Sequence, residues 1–424
     1  MRFPPDFFCI PGVRVNGFAE LARAASAARL ARPQVPLALA TLVQVDGSSY
    51  RQPGARLLVD AEGRVLAGAV SGGCLEGDVA ARAQEVCATG RAVRLMYDLR
   101  ADLESIWGLG AACDGVAHLL LEPLPDWRWM AQAESVRVRR RGGAVITLLH
   151  ADGTGGSCAL LDGDARQGRW HQLGELAHDE RLAEFITLAH TAQRTATPFL
   201  QTISDGTTAF VEPLVAPVAL HLVGAGRGAE AFATIAHTLG WQVTVLDHRP
   251  ALLGALTLPS DVRAVPVRSL DGVRSALADL PHDSRTAVAL LTHIFDVDSA
   301  WLAATLPLPI AYVGVLGSRS RGQQLLEQVE STLSVTDTPV TPRMRHKLYA
   351  PIGLDLGSED PAGIALSAIA EIEAVIHGRP GGFLRERQSP IHTRTPTPRL
   401  LDRADVPVTP PLPLRCDLPE PPPV

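Results

Sequence analysis

The stretch VALHLVGAGRGAEAFATIAHTLGWQVTVLD, residues 218–247, restricts the folds open to this chain more than any other segment. A continuous apolar run suits a strand buried on both faces; a glycine-rich turn, a helix and a second apolar strand follow it. Gly224-Ala225-Gly226-Arg227-Gly228-Ala229 fits the GxGxxA form of the dinucleotide fingerprint. Gly224 permits the tight turn, Gly226 the close approach of a ligand, and Ala229 the packing of helix on sheet. Asp247 ends the second strand at the separation expected of a ribose-binding acid. Further strands in RAVPV, TAVALLT and AYVGVLG alternate with helical segments, and EDPAGIALSAIAEIEAVIHG supplies a closing helix. This alternation predicts a Rossmann-like, doubly wound parallel-sheet domain over residues 217–388.

In open α/β sheets, ligands bind outside the carboxyl ends of the strands. That rule gathers the Gly224 loop with Arg227, then Thr292-His293 after the fourth strand, then GVLGSRSR (314–321) after the fifth. Gly317, Arg319 and Arg321 fall in this last loop, and the two guanidinium forks suit a phosphate. His293 is a candidate acid/base, or a histidine that only hydrogen-bonds its loop. The motif does not name the ligand: a nucleotide, a phosphorylated pterin and a vestigial site used for assembly all fit it.

Residues 1–216 read as an α+β domain with a core at about 16–125 and an extension at 126–216; PLVAPV (213–218) is the linker. A helix is expected around 17–32 and a strand in VPLALATLVQV. A hairpin turns at Asp60–Gly63, a helix ends on Gly90, and RAVRLMYDL and VAHLLLEPL are strands. Three glycine loops interrupt them: GSSYRQPG (47–54), SGGCLEGD (71–78) and GLGAACDG (108–115). The amides and hydroxyls at Ser48 and Ser49, with Arg51 before Gly54, can form an anion-binding concavity. Ser71-Gly72-Gly73 places Cys74 at a helix start, where amides stabilise a thiolate; the alternative is a small buried residue. Cys113 repeats the pattern, so the two cysteines together can offer soft sulfur to a metal or a sulfur-bearing ligand. They do not make a tetrahedral zinc site, and Cys87 reads as core.

Six scattered cysteines without a CxxC pair suit a reducing compartment. A formal net charge of -6 argues against nucleic acid as a partner. No segment has the length of a signal peptide or a membrane span, so the expectation is a soluble cytoplasmic protein. The arginines at 137, 139, 140 and 141 read as a solvated helix end, and the proline-rich stretch at 389–424 reads as a disordered tail. No acid/base dyad or nucleophile triad is visible, which favours binding over catalysis.

GSSYRQPGARLLV, SGGCLEGDV, WGLGAACDGVAHLLLEPL, the Gly224 segment, LLTHIFDVD, AYVGVLGSRSR, LYAPIGLDLGSEDPAGIALSAIAEIEAV and the late SPIH together resemble the XdhC/CoxI family, in that family's order, over most of residues 36–392. The resemblance implies a molybdenum-cofactor chaperone without turnover chemistry of its own. Such a protein holds the cofactor (molybdopterin) while a cysteine-desulfurase-type sulfurase installs the terminal sulfido ligand. It then delivers the cofactor to a molybdenum hydroxylase such as xanthine dehydrogenase. The family's loops fall on Gly47–Gly54, Ser71–Gly77 and Gly224–Ala229, which makes Ser48, Ser49, Arg51, Gly54, Ser71, Gly72, Gly73, Cys74 and Glu76 candidate cofactor contacts. Gly224, Gly226, Arg227, Asp247, His293, Gly317 and Arg319 are the corresponding candidates in the second domain. Cys74 is the candidate contact to molybdenum or its sulfido ligand. Cys113 is less secure, because Ala111 and Ala112 separate it from the glycines. The expectation is that the two domains face each other, with the SGGC and Gly224 loops lining the cleft; self-association is left open. The alternatives are an NAD(P)-dependent oxidoreductase, with Asp247 on the ribose and His293 as acid/base, and a ligand-free assembly scaffold.

Overall fold

The computed structural model describes residues 17–99, 115–149, 155–162, 181–267, 269–335 and 338–388. They divide between Ala216 and Pro217 into two compact units. The GLG segment with Cys113, the SPIH motif and the proline-rich tail lie outside the described residues.

The N-terminal unit opens with α1 (Phe18–Ala31), β1 (Leu37–Gly47), β2 (Arg56–Asp60), β3 (Val65–Gly68), α2 (Glu76–Thr89), β4 (Val93–Asp98) and β5 (Gly115–Pro123). The strands form an antiparallel sheet in the order β3-β2-β1-β5-β4. β1 reads as nearly continuous apolar sequence because both faces of the sheet are covered. Ala38, Ala40 and Leu42 pack with Val79, Ala83 and Val86 of α2. Leu37 and Leu39 point the other way, toward Leu21 and Ala25 of α1. α2 ends where Gly90 takes a left-handed φ of 68° and its amide bonds Val86 O, a turn an L side chain adopts only with strain.

Residues 126–216 build a second layer from α3 (Arg128–Val138), β6 (Gly143–Leu149), β7 (Gly155–Asp162), α4 (Leu182–Thr195), β8 (Phe199–Thr202) and β9 (Thr208–Pro213). Their antiparallel sheet runs β7-β6-β9-β8. On one face lie Phe185, Ala189 and Ala192 of α4, spaced to share a single helix face. On the other, Leu200 and Phe210 meet Val43 and Leu120 of the first sheet. Of the arginine cluster, Arg139 and Arg141 are exposed, as expected of a solvated helix end, and Arg137 departs from it: it bonds Glu134, itself 6% exposed, and Val215 O.

The C-terminal unit runs β10 (Ala219–Val223), α5 (Ala229–Thr238), β11 (Gln242–Asp247), α6 (Pro250–Ala255), β12 (Arg263–Pro266), α7 (Leu270–Ala278), β13 (Thr286–Leu290), α8 (Phe295–Thr305), β14 (Tyr312–Val315), α9 (Arg319–Val335), α10 (Pro342–His346), β15 (Leu348–Tyr349) and α11 (Pro361–Ile376). All pairings are parallel in the order β12-β11-β10-β13-β14-β15, the Rossmann arrangement, with the strand order reversing between β10 and β13. α5 and α11 cover one face; α8 and α9 cover the other. At two residues β15 is too short for a hydrophobic pattern, so the sequence does not announce the sixth strand. Among the described residues no helix is long and apolar enough to cross a membrane.

Candidate functional site

In the N-terminal unit, the GSSYRQPG and SGGCLEGD loops meet at one end of the first sheet. A Cβ on Gly72 would lie 3.6 Å from the Tyr50 ring, an ordinary contact distance, so the ring rests beside the loop. The start of β5 at Gly115 and the residue after β4 lie at the same place. Leu99 N donates to Gly115 O, and a Cβ on Gly115 would stand 2.3 Å from the Ser48 carbonyl oxygen.

The SGGC loop spends most of its amides on itself. The Glu76 carboxylate accepts from the amides of Val70 (3.1 Å), Ser71 (2.8 Å) and Leu75 (3.2 Å) and from the Ser71 hydroxyl. Ser71 Oγ in turn accepts from Gly73 N and Leu75 N, both at 3.1 Å. Burial raises the carboxyl's pKa, but the Ser71 hydroxyl and the amides outweigh it and hold Glu76 below the usual range. Ser71 and Glu76 therefore shape the loop, while Gly72 and Gly73 are exposed and their neighbour Cys74 is half-buried. α2 starts at Glu76, so Cys74 precedes the first turn rather than occupying it, and it packs at the edge of the α2 core. Burial, then the charge of Asp60, pushes the Cys87 thiol up, as befits a core cysteine. Among the described residues no group of three or more His, Cys, Asp or Glu side chains could hold a metal ion.

Beside these loops, a cavity of about 390 Å³ is lined by Phe18, Glu20, Arg51, Gly54, Arg56 and Glu212, among others. Arg56 spans it as a buried fork. Its Nη1 donates to Glu212 Oε1 at 2.9 Å and to Gly54 O at 3.1 Å, and Nη2 bonds Glu212 Oε2. The guanidinium lies over the rings of Phe18 and Trp129, 4.8 and 5.7 Å from their centroids. Gly54 has a φ of 96°, and a Cβ there would come within 2.7 Å of Glu212 Oε1. Burial pushes Glu122 up to about 7 even though the Arg56 charge pulls it down. These charges escaped the sequence reading. Their one available signal is a charged residue inside an otherwise apolar strand.

In the C-terminal unit, the carboxyl ends of β10, β13 and β14 bring together Gly224, Gly226, Arg227, His293, Gly317 and Arg319. Gly224 is doubly required: its φ is 121°, and a Cβ would sit 2.8 Å from the Leu291 carbonyl carbon. Gly226 has open space where a Cβ would be, so the fold itself does not demand glycine there. Arg227 and Arg319 are exposed. Exposed His293 holds a φ of 59°, a costly conformation for a side chain other than glycine.

Asp247 is engaged by its own unit. Oδ2 accepts from Ala225 N at 2.7 Å and Arg249 Nη2 at 2.9 Å; Oδ1 accepts from Arg249 N at 2.8 Å and Nε at 2.9 Å. Burial raises its pKa, but the hydrogen bonds from Arg249 and Ala225 and the Arg249 charge bring it down to about 2. The acid thus clamps the glycine loop. Arg321 departs from the phosphate role expected of it, because its Nη2 is tied at 2.8 Å to Asp298, whose side chain is fully buried. Thr292 Oγ1 donates to the other Asp298 oxygen at 2.6 Å, so one acid fixes both loops. Asp298 lies in the first turn of α8.

Residues 30–98 match the model of the XdhC and CoxI family, and residues 220–372 match that of the XdhC Rossmann domain. The chain is 30% identical over 347 residues to a protein of Bacillus subtilis strain 168 described as a probable xanthine dehydrogenase component, covering 81% of this chain and 94% of that protein. It is also 30% identical over 171 residues to an uncharacterized protein of Escherichia coli K12, covering 40% of this chain and 30% of that one. A crystal structure described as a xanthine dehydrogenase from Bacillus halodurans superposes with a TM-score of 0.64 at 25% identity, over 84% of this chain and 96% of that chain. With both family models matched and its similarity extending along nearly the whole of a relative, the chain belongs to the XdhC and CoxI family.

Proposed function

We propose that this chain is a maturation factor for a molybdenum hydroxylase such as xanthine dehydrogenase. It takes the molybdenum cofactor as cargo, holds it for a sulfurase and delivers it to the dehydrogenase. The observation that carries the reading is the meeting of the GSSYRQPG and SGGC loops, which leaves exposed glycines beside a half-buried Cys74. An anionic dithiolene with a phosphate needs backbone that can be approached closely and soft sulfur, and these loops offer both. The name of the Bacillus subtilis relative supports a xanthine dehydrogenase as the recipient. The engagement of Asp247 by Ala225 and Arg249 weighs against the nicotinamide alternative, in which its carboxylate would hold a ribose.

The test is anaerobic purification from a host that makes the cofactor, followed by molybdenum and pterin analysis. Wild type is expected to carry both, and Cys74→Ala to lose molybdenum at least about tenfold. Wild type devoid of pterin and molybdenum but holding a nicotinamide nucleotide would sink the reading. Equal loading of the two proteins would remove the thiolate from it.

A further inference from the structure

The charges around the N-terminal cavity sort into pairs with two left over. Arg56 is committed to Glu212. Arg137, another lining residue, is committed to Glu134 at 3.0 Å and Val215 O at 3.2 Å. Glu20 and Arg51 remain, one of each sign. Among the described residues neither makes a hydrogen bond or ion pair, and the Arg51 guanidinium only lies 5.8 Å from the centre of the Tyr50 ring. α1 begins here at Phe18 without a side-chain cap, so its first-turn amides add donors at the same edge.

This balance selects a ligand chemistry. A dianionic phosphate would face Glu20 and Glu212 with only Arg51 uncommitted, and like charges at such range oppose binding. A neutral planar ring with donors on one edge and an acceptor beside them uses both leftover charges. The volume lies within the span of about 300–1,000 Å³ usual for small-molecule sites, and Phe18 supplies an aromatic wall.

We infer that this cavity receives the pterin ring of the cargo, the Glu20 carboxylate accepting from its 2-amino and ring N–H edge and the Arg51 guanidinium donating to its carbonyl. The inference rests on the maturation reading and deepens it, by giving the pterin end to the N-terminal unit. Guanine presents the same amino-oxo edge, so the test must tell the two apart.

The test titrates the full chain with free pterin, with lumazine, in which an oxo group replaces the 2-amino group, and with guanosine, following ring fluorescence or competition. Pterin is expected to saturate wild type and to bind at least about tenfold tighter than lumazine, which lacks the 2-amino donor to Glu20, the worth of a charge-assisted hydrogen bond. Guanosine offers the same edge but adds a ribose, and is expected to bind more weakly than pterin. Glu20→Gln should weaken pterin about 10- to 100-fold and narrow or reverse its preference over lumazine, whose 2-oxo group the carboxylate repels, and Arg51→Met should weaken both pteridines. Because the Glu20 side chain makes no hydrogen bond or ion pair among the described residues, unchanged thermal unfolding of Glu20→Gln verifies that the variant is intact. Equal binding of pterin and lumazine, unaltered pterin binding by Glu20→Gln, or a preference for guanosine would overturn the inference. If any of these occurs while purified wild type still carries molybdenum and pterin, the ring site is wrong and the maturation reading stands. Wild type carrying neither would fail that reading itself.

Discussion

Replacing Arg56 by methionine is expected to destabilise the N-terminal unit by about 3–5 kcal/mol, because it strands the Glu212 carboxylate in a site where that side chain is 9% exposed. The cost comes less from losing an attraction than from leaving a charge without water or partner. The double variant Arg56→Met with Glu212→Leu removes both charges and keeps apolar bulk beneath Phe18 and Trp129, so it should recover most of the loss. Urea unfolding of the three proteins checks this. A single variant that costs less than about 1 kcal/mol would mean that the pair is not buried in solution.

Glu122→Gln is expected to stabilise the protein in neutral and alkaline solution and to remove a pH dependence. The native carboxyl titrates near 7 and the unfolded one near its ordinary 4.5, so between these values the folded state holds the proton and the unfolded state has lost it. Stability therefore falls as pH rises through that window, by about 3 kcal/mol in all. Glutamine cannot ionise, so the variant should match wild type near pH 4.5 and exceed it by about that amount at pH 8. Unfolding curves at the two pH values decide the matter; parallel wild-type and variant profiles would contradict it. The two predictions are linked, since Arg56 is the charge that restrains Glu122, and its removal should push the Glu122 midpoint higher still.

The C-terminal unit was legible because each link of its pattern is local. Strands buried on both faces read as apolar runs, GAGRGA follows the first of them, and helices of the right length separate the rest. β15 escaped because two residues carry no period. In the N-terminal unit the glycine loops were visible but their internal wiring was not: nothing in SGGCLEGD says that Glu76 folds back onto the amides of Val70, Ser71 and Leu75. The buried charges were the least legible of all. Arg56 and Glu212 are 156 residues apart, and a lone charge in a strand looks like a solvated edge until its partner is found. Asp298 and Arg321 are a shorter instance, 23 residues apart, and there the ion pair turned a proposed phosphate ligand into a loop anchor.

Transfer of cargo is the sharpest measurement of the proposed maturation role. Chain purified anaerobically with bound molybdenum and pterin would be mixed with a cysteine-desulfurase-type sulfurase and cofactor-free xanthine dehydrogenase, then separated by size. Molybdenum is expected to leave this chain, to appear on the dehydrogenase and to bring xanthine-dependent turnover with it. Molybdenum that stays on the chain while the dehydrogenase remains inactive, in a mixture where free cofactor does activate it, would refute that role.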